Sequence, residues 1–335
     1  MIPYIKVPDF HISRLPLHPF GVLVATGVIL GTSLAMRRGA KRGFDLDKLN
    51  SFITWMLAMG FIGGHVLDSI FYHPEDVIHR PWSLLMLWEG LSSFGGFVGG
   101  LIGVLIWKYV AWDPVFTFGP LKVAGVELVG VTSIYVPRKR ETPLPILPFC
   151  DLILSVFPVA WMFGRSGCAS VHDHPGALTG SWLGVEYPAA RPQITDGPGL
   201  HTMFGPVFHD ANGKAEQLTL IHGHFPRFDL GLLELMFTCI LALAFALTWR
   251  KKLWTGAYVA ATALAYGPVR FAMDFLRIRD EDGSDPRYGA FTPAQWCCFA
   301  LTALGVYLIF YMRGQEKRGI DSAEALRAPA VTVPT

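Results

Sequence analysis

Long apolar segments alternate with short polar loops along most of this chain. Seven segments are long enough to cross a hydrocarbon core, which needs roughly 17–25 apolar residues. They cover approximately residues 19–36, 50–72, 84–112, 147–165, 229–249, 253–276 and 290–312. The pattern predicts an all-α integral membrane protein with about seven transmembrane helices.

Clusters of cations follow every second apolar segment. These residues are Arg37, Arg38, Lys41, Arg42, Lys122, Arg138, Lys139, Arg140, Arg250, Lys251, Lys252, Arg313, Lys317 and Arg318. Cationic loops mark the cytoplasmic side of a membrane. The distribution therefore predicts that the N-terminus lies outside and the C-terminus inside.

One membrane domain over residues 1–320 is predicted, with two polar insertions. The inner insertion covers about 113–146 and the extracytoplasmic one about 177–228. Both are expected to contain small β-rich elements. The candidate strands are Leu121–Val126 and Val131–Val136 in the first, and Thr202–His209 and Gln217–His222 around the turn Asn212-Gly213 in the second. Residues 321–335 have no periodicity and are expected to form a disordered cytoplasmic tail.

Composition supports a membrane protein. Of 335 residues, 52% are hydrophobic and 16% are charged, whereas soluble domains carry about 25% charge. A net charge of +2 gives no reason to expect a nucleic-acid partner. The five cysteines show no CxxC spacing and no disulfide framework.

An arginine closes the fourth apolar segment, in the sequence Gly164-Arg165-Ser166-Gly167-Cys168, and a polar run follows at once. That run contains His172, Asp173 and His174. A guanidinium at the bilayer edge is costly and usually has a partner or a function. Imidazole can serve as a general base near neutral pH.

Further ionisable residues lie inside apolar segments, namely His65, Asp68, Glu89, Glu234, Arg270 and Asp274, with Arg277 just beyond. Arg270 and Asp274 are four residues apart and share a helix face. The pair either holds helices together or forms a cation site for a lipid phosphate, in which Asp274 orients the guanidinium.

Glycines cluster in the second and third segments. They are Gly60, Gly63, Gly64, Gly95, Gly96, Gly99, Gly100 and Gly103. Small residues permit close helix packing in membranes, and they can also leave room for a lipid beside the backbone. The two interpretations are compatible.

These motifs resemble the phosphatidylglycerol–prolipoprotein diacylglyceryl transferases over most of the chain. The family signature G-R-x-G-N-F-x-N-x-E-x-x-G is matched at Gly164, Arg165, Gly167 and Gly176, with Asp173 in place of Glu and Cys168 in place of Asn. The family's G-x-x-R-F-x-x-E-F-x-R is similar to residues 267–277, where Asp274 replaces Glu. Residues 63–72 and 88–96 resemble two further motifs, but His65 replaces an Arg and Gly95 replaces the functional His.

The resemblance implies transfer of a diacylglyceryl group from phosphatidylglycerol to the cysteine thiol of prolipoprotein signal peptides in the bacterial inner membrane. It implies no metal and no organic cofactor. Arg165 and Arg270 would hold the lipid phosphate. The other implied substrate-binding residues are Asp274, Arg277, Glu234, Gly164 and Gly167. Asp173 is a further catalytic candidate, and His65, His172 and His174 are candidate bases in place of Gly95.

Four alternatives stay open at this point. The chain could transfer lipid to another acceptor, or bind lipid without turnover. It could be a transporter lined by His65, Asp68, Arg270 and Asp274, although no internal repeat supports this. It could also be a zinc-dependent membrane hydrolase, because His222 and His224 form a second H-x-H pair beside His172 and His174.

Overall fold

The apolar segments fold into helices in the computed structural model. It describes residues 1–5, 7–8, 10–12, 15–86, 90–118, 121–123, 126–129, 132–172, 174–188, 208–209, 215–216, 224–251, 253–277, 287–317 and 323–327. The α-helices in this part of the chain are α1 (Pro19–Lys41), α2 (Leu46–Tyr72), α3 (Pro74–His79), α4 (Ser93–Tyr109), α5 (Leu147–Val171), α6 (Leu230–Thr248), α7 (Ala257–Met273) and α8 (Pro293–Lys317). Short 3-10 helices cover Pro81–Leu85, Asp274–Leu276 and Glu324–Leu326.

The strands are short and lie mainly in the loops between helices. They are β1 (Ile2–Pro3), β2 (Phe10–Ile12), β3 (Leu15–Leu17), β4 (Val110–Phe118), β5 (Leu121–Val123), β6 (Val126–Val129), β7 (Thr132–Lys139), β8 (Pro175–Leu178), β9 (Val185–Pro188), β10 (Phe208–His209), β11 (Ala215–Glu216) and β12 (His224–Asp229).

The chain divides into two compact units. The first unit contains Met1–Ala35 and Asp151–Arg318, and the second contains Met36–Cys150 and Gly319–Thr335. Both α1 and α5 begin in one unit and end in the other.

Five helices of the described residues are long and apolar enough to cross a membrane: α1, α2, α5, α6 and the Pro293–Met312 part of α8. Helices α4 and α7 each have 17 residues. The third predicted segment, 84–112, is wrong at both ends. Ser92 caps α4 by accepting a hydrogen bond from the Gly95 amide at 3.4 Å, and β4 begins at Val110.

Side-chain caps fix where other helices begin. The Asp45 carboxylate starts α2 by accepting hydrogen bonds from the backbone amides of Asp47 and Lys48, both at 3.1 Å. Burial disfavours the charged form of Asp45, but the hydrogen bonds and charge of Lys48 outweigh it and lower the pKa of this carboxyl.

Helix α7 is capped from outside its own segment. The buried Asp151 of α5 accepts from the amides of Tyr258 at 2.7 Å and Val259 at 3.3 Å. A helix N-terminus favours a negative charge, so this contact explains how a carboxylate is tolerated in an apolar helix.

The first unit contains a four-stranded sheet in the order β1-β9-β12-β8. Strand β1 pairs in parallel with β9, and β12 pairs antiparallel with both β9 and β8. Strands β10 and β11 form a separate antiparallel pair. Most of the predicted outer hairpin, including its Asn212-Gly213 turn, lies outside the described residues.

The inner insertion in the second unit forms an antiparallel ribbon. Strand β4 pairs with β7, from Val110↔Lys139 to Phe118↔Thr132, and β5 pairs with β6. The described residues of the predicted partners, Leu121–Val126 and Val131–Val136, therefore pair with other strands and not with each other. The first predicted strand contains β5 and the first residue of β6, which pair together, whereas the second lies mostly in β7, which pairs with β4.

Part of the predicted disordered tail is ordered. Leu326 is fully buried, and its carbonyl accepts a hydrogen bond from the Asp45 amide at 2.9 Å. Phe44 and Arg327 form an antiparallel bridge beside it. An apolar side chain and backbone pairing order residues 323–327, which composition alone does not reveal. The remaining residues of the predicted tail lie outside the described part of the chain.

Glycines allow α2 and α4 to pack at backbone contact. A Cβ atom at Gly63 would lie 2.6 Å from the Gly99 Cα, and one at Gly95 would lie 3.0 Å from both Cα and O of Gly64. Of the two interpretations of these glycines, the structure shows the first, close packing of two helices. It also explains Gly95, because an imidazole has no room at this position in this packing.

Adding one methyl group at Gly95 tests this contact. We expect Gly95→Ala to destabilise the protein by about 1–3 kcal/mol, because overpacking forces the two backbones apart. Gly164→Ala is the matched control, since no atom lies within 4 Å of a Cβ there. Thermal unfolding of the purified proteins in detergent measures both. An unchanged or higher midpoint for Gly95→Ala would contradict the packing described.

Candidate active site

A buried carboxylate on α6 is the centre of one group of polar residues in the first unit. Glu234 is 3% exposed. Its Oε1 lies 3.0 Å from Arg165 Nε and its Oε2 lies 3.9 Å from Arg270 Nε. Trp161 Nε1 and the Tyr266 hydroxyl donate hydrogen bonds to Oε1, at 3.2 Å and 2.6 Å. One carboxylate therefore joins side chains from α5, α6 and α7.

Arg165 is positioned by stacking on an aromatic ring from the same face of α5. The guanidinium carbon lies 4.8 Å from the ring centroid of Trp161, four residues earlier. Arg165 Nη1 also lies 3.6 Å from the Cys168 Sγ. Its Nε contact with Glu234 is an ion pair and not a directed hydrogen bond, because Nε–H does not point along the line to the oxygen.

Asp274 fixes the second arginine. Its Oδ1 accepts a hydrogen bond from Arg270 Nη1 at 2.7 Å and lies 3.1 Å from Arg277 Nε. The carboxylate is fully buried, whereas the Arg277 side chain is 22% exposed. The predicted pairing of Arg270 with Asp274 on one helix face is confirmed by this geometry.

The start of α8 holds Asp274 in turn. Thr292 caps α8 and its hydroxyl donates to Asp274 Oδ2. Gln295 Oε1 accepts from the Thr292 amide while Thr292 Oγ1 accepts from the Gln295 amide, both at 3.2 Å. This reciprocal arrangement is a capping box, and Pro293 occupies the first helical position.

We call these side chains the Glu234 cluster: Trp161, Arg165, Glu234, Tyr266, Arg270, Asp274 and Arg277. Among these described residues, three guanidinium groups face two carboxylates. Buried charges are stable only when paired and hydrogen-bonded. The arrangement is suited to hold an additional anion beside preorganised arginines.

A second group of polar side chains joins the end of α5 to the start of α6. His172 Nδ1 lies 2.5 Å from Asp229 Oδ2, and the Tyr187 hydroxyl donates to the same oxygen at 3.1 Å. Tyr4 stacks on the imidazole with ring centroids 4.2 Å apart. Burial, and then the Asp229 carboxylate, raise the pKa of Tyr4 above its ordinary value. We call these four residues the His172 cluster.

Backbone geometry positions this imidazole. His172 follows the last residue of α5 with φ of +53°, a left-handed conformation in which histidine is enriched. Its amide donates to the Cys168 carbonyl at 2.8 Å. Asp229 caps α6, with its Oδ1 accepting from the Leu232 amide at 2.9 Å. The ring Nε2 lies 3.2 Å from the Ile5 carbonyl.

The structure brings together only some of the predicted site residues. Arg165, Glu234, Arg270, Asp274 and Arg277 meet in one cluster. Asp173, Glu89 and His222 lie outside the described residues.

Three further candidates have other surroundings. Gly167 packs against the Phe20 ring of α1, where a Cβ would lie 2.9 Å from Cδ2. The His174 carbonyl accepts from the Leu230 amide at 3.1 Å. His65 belongs to the second unit, where its ring nitrogens lie 2.9 Å and 3.2 Å from the carbonyls of Ser83 and Gly90. Those contacts favour a structural role for His65.

Several members of the two clusters were not predicted. Trp161 and Tyr266 each precede a candidate arginine by four residues, so helical spacing could have indicated them. Asp229 immediately precedes an apolar run, which is typical of a helix cap. Only the fold reveals that Asp229 also faces His172, because the two are 57 residues apart.

Two comparisons with known proteins, one with family models and one with individual relatives, match the same family. The family model described as prolipoprotein diacylglyceryl transferase matches residues 9–119 and 119–311. A phosphatidylglycerol–prolipoprotein diacylglyceryl transferase of Xylella fastidiosa (strain M12) is 25% identical over 305 residues, which cover 90% of each chain. One from Treponema denticola is 23% identical over 264 residues, covering 74% of this chain and 68% of the relative.

Substitutions at Glu234 test the centre of the cluster. Glu234→Ala leaves buried arginines without their shared counter-charge, which typically costs about 3–5 kcal/mol. We expect Glu234→Gln to cost less, because the amide oxygen still accepts from Trp161 and Tyr266. Thermal unfolding compares both with Glu75→Ala, an exposed glutamate of α3. Wild-type stability of Glu234→Ala would show that this carboxylate does not hold the helices together.

Proposed function

Because the chain belongs to the prolipoprotein diacylglyceryl transferase family, we propose that it transfers a diacylglyceryl group from phosphatidylglycerol to a cysteine thiol in a prolipoprotein signal peptide. The thiol sulfur forms a bond to the glycerol carbon that carries the phosphate, and the carbon–oxygen bond to that phosphate breaks. Glycerol phosphate leaves, and the thiol proton passes to a base. The family match favours this reaction over the carrier and the zinc-dependent hydrolase that the sequence also allowed.

The observation that carries the proposal is the shared carboxylate of Arg165 and Arg270. These residues are 105 positions apart, yet both guanidinium groups lie within 3.9 Å of Glu234. Arginine presents donors in a fixed fork that matches phosphate oxygens. A headgroup phosphate entering here would meet both arginines, and negative charge builds on that phosphate as the carbon–oxygen bond breaks.

Preorganisation is the contribution of the surrounding residues. Donors already aimed at developing charge stabilise a transition state without reorganising during the reaction. Glu234 restrains Arg165, and Asp274 restrains Arg270 at 2.7 Å. The bond from Thr292 connects Asp274 to the first turn of α8. Arg277 supplies a third cation at the more exposed side of the cluster.

We assign the base to His172 in preference to His174. The thiolate is the reactive form of cysteine, and a neutral imidazole can take the thiol proton. Asp229 orients the His172 ring through Nδ1. The ring Nε2 lies 3.2 Å from the Ile5 carbonyl, so the thiol must take the place of that carbonyl to reach Nε2. His172 follows Arg165 by seven residues, which is roughly 10 Å along the helix axis.

The setting of the reaction is the membrane. The chain is a multi-pass membrane protein with five helices of sufficient length and apolarity among its described residues. Seven spans, an outer N-terminus and an inner C-terminus are our proposal for its topology, because cations follow the odd-numbered segments. In this topology, the bacterial inner membrane supplies phosphatidylglycerol, and the signal peptide reaches the site from the outer face.

Removal of one guanidinium tests the phosphate site. We expect Arg270→Ala to fold and to lose about 10²–10³-fold in turnover, the effect typical of one lost oxyanion donor. Arg270→Lys keeps the charge but not the fork and should also lose turnover. The assay measures diacylglyceryl transfer from phosphatidylglycerol vesicles to a lipobox peptide. Lys251→Ala, an exposed cation after α6, is the control.

Full turnover by a folded Arg270→Ala protein would exclude the phosphate role.

Complementation tests the reaction itself. The wild-type chain, expressed in cells depleted of their own transferase, is expected to restore lipid-modified lipoprotein. Failure to do so with a protein that reaches the membrane would contradict the proposed acceptor.

Chemical rescue tests the base. We expect His172→Ala to lose about 10²–10⁴-fold in turnover and to recover part of it with added imidazole. A purely structural histidine would show loss without rescue. Turnover that stays intact with alanine at both His172 and His174 would show that neither is the base.

A further inference from the structure

We infer that the second unit binds the headgroup of an anionic phospholipid at the end of α4, where the β4–β7 ribbon begins. None of the residues involved belongs to the Glu234 or His172 cluster. The inference rests on a cavity, on its charge and on the apolar surface of α4, the helix that ends beside it. It does not depend on the proposed reaction.

A shallow cavity of about 270 Å³, largely open to its surroundings, lies at this position. Its lining includes Arg138, Lys139, Arg140, Glu141 and Thr142. Three cations thus line the cavity beside one carboxylate. The hydroxyl of Thr142 adds a donor suited to a phosphate oxygen.

One of the three cations is held in place. Arg140 Nε donates to the Trp107 carbonyl at 3.1 Å, and its guanidinium carbon lies 5.4 Å from the Trp107 ring centroid. Its backbone amide donates to the Tyr109 carbonyl at 2.8 Å. Trp107 is fully buried, so Arg140 is anchored on a rigid support. Arg138 and Lys139 are exposed beside it.

The helix that leads to the cavity presents apolar side chains outward. Leu101, Leu105 and Tyr109 are 57%, 41% and 46% exposed and are spaced four residues apart on one face of α4. This face ends at Tyr109, and the Lys108 ammonium lies 5.1 Å from that ring. Aromatic residues and cations at a helix end are typical of the membrane interface.

Charge and apolar surface together identify the ligand. Acyl chains along the exposed face of α4 would place a phosphate at the basic cavity, whereas a soluble phosphate would use only the cavity. The inner insertion lies on the cytoplasmic side in the proposed topology, and the cytoplasmic leaflet is anionic. Basic pockets at such positions bind anionic headgroups.

Lipid binding by the purified full-length protein tests the inference. Phosphatidylserine is the probe, because phosphatidylglycerol is also the proposed substrate, and phosphatidylcholine is the neutral comparison. Native mass spectrometry in detergent counts bound lipids during a titration. We expect one phosphatidylserine in preference to phosphatidylcholine, and about 30-fold weaker binding in the double variant Arg138→Ala/Lys139→Ala. The double variant Arg250→Ala/Lys251→Ala, in another cationic loop, is expected to bind like wild type.

Four outcomes would overturn the inference. The first is no preference of the wild-type protein for phosphatidylserine. The second is unchanged binding in Arg138→Ala/Lys139→Ala with an unchanged unfolding temperature. The third is an equal loss in both double variants, which would indicate general surface charge. The fourth is displacement by millimolar inorganic phosphate, which would indicate a soluble anion site instead of a lipid site.

Discussion

The ion pairs around one buried carboxylate determine the arrangement of the first unit. Glu234 is 3% exposed and lies between arginines of α5 and α7. Removing charges from water costs several kcal/mol per ion unless each finds a partner in good geometry. Three helices must therefore meet with their polar faces in register. The same constraint places two guanidinium groups beside each other, which is the requirement for a phosphate site.

Helix packing in the second unit depends on a different constraint, the absence of side chains at the glycines of α2 and α4. Helices α2 and α4 approach until the Gly63 and Gly99 backbones touch, and no Cβ fits between them. This packing also accounts for a departure from the family pattern. At Gly95, where the family has a histidine, this contact leaves no room for a ring. Our proposal therefore assigns the base to the first unit, where Asp229 contacts His172.

Networks of caps connect the clusters to the ends of helices. Asp229 caps α6 and contacts His172, while Thr292 caps α8 and contacts Asp274. Each cap thus satisfies backbone amides and orients a charged side chain at the same time. A shift of either helix end would therefore move a charged side chain of the cluster that it contacts.

The sequence alone determined the apolar segments, the pairing of Arg270 with Asp274 and the candidate arginines, because hydropathy and helical spacing are local properties. It misplaced the start of α4 and the strand partners in the inner insertion, since the Ser92 cap decides the first and the pairing of β4 with β7 decides the second. The tertiary structure decided which distant residues meet. The structure pairs Glu234 with Arg165 and Arg270, and His172 with Asp229. The partners are 36 to 69 residues apart in the sequence, and only the packing of helices brings them together.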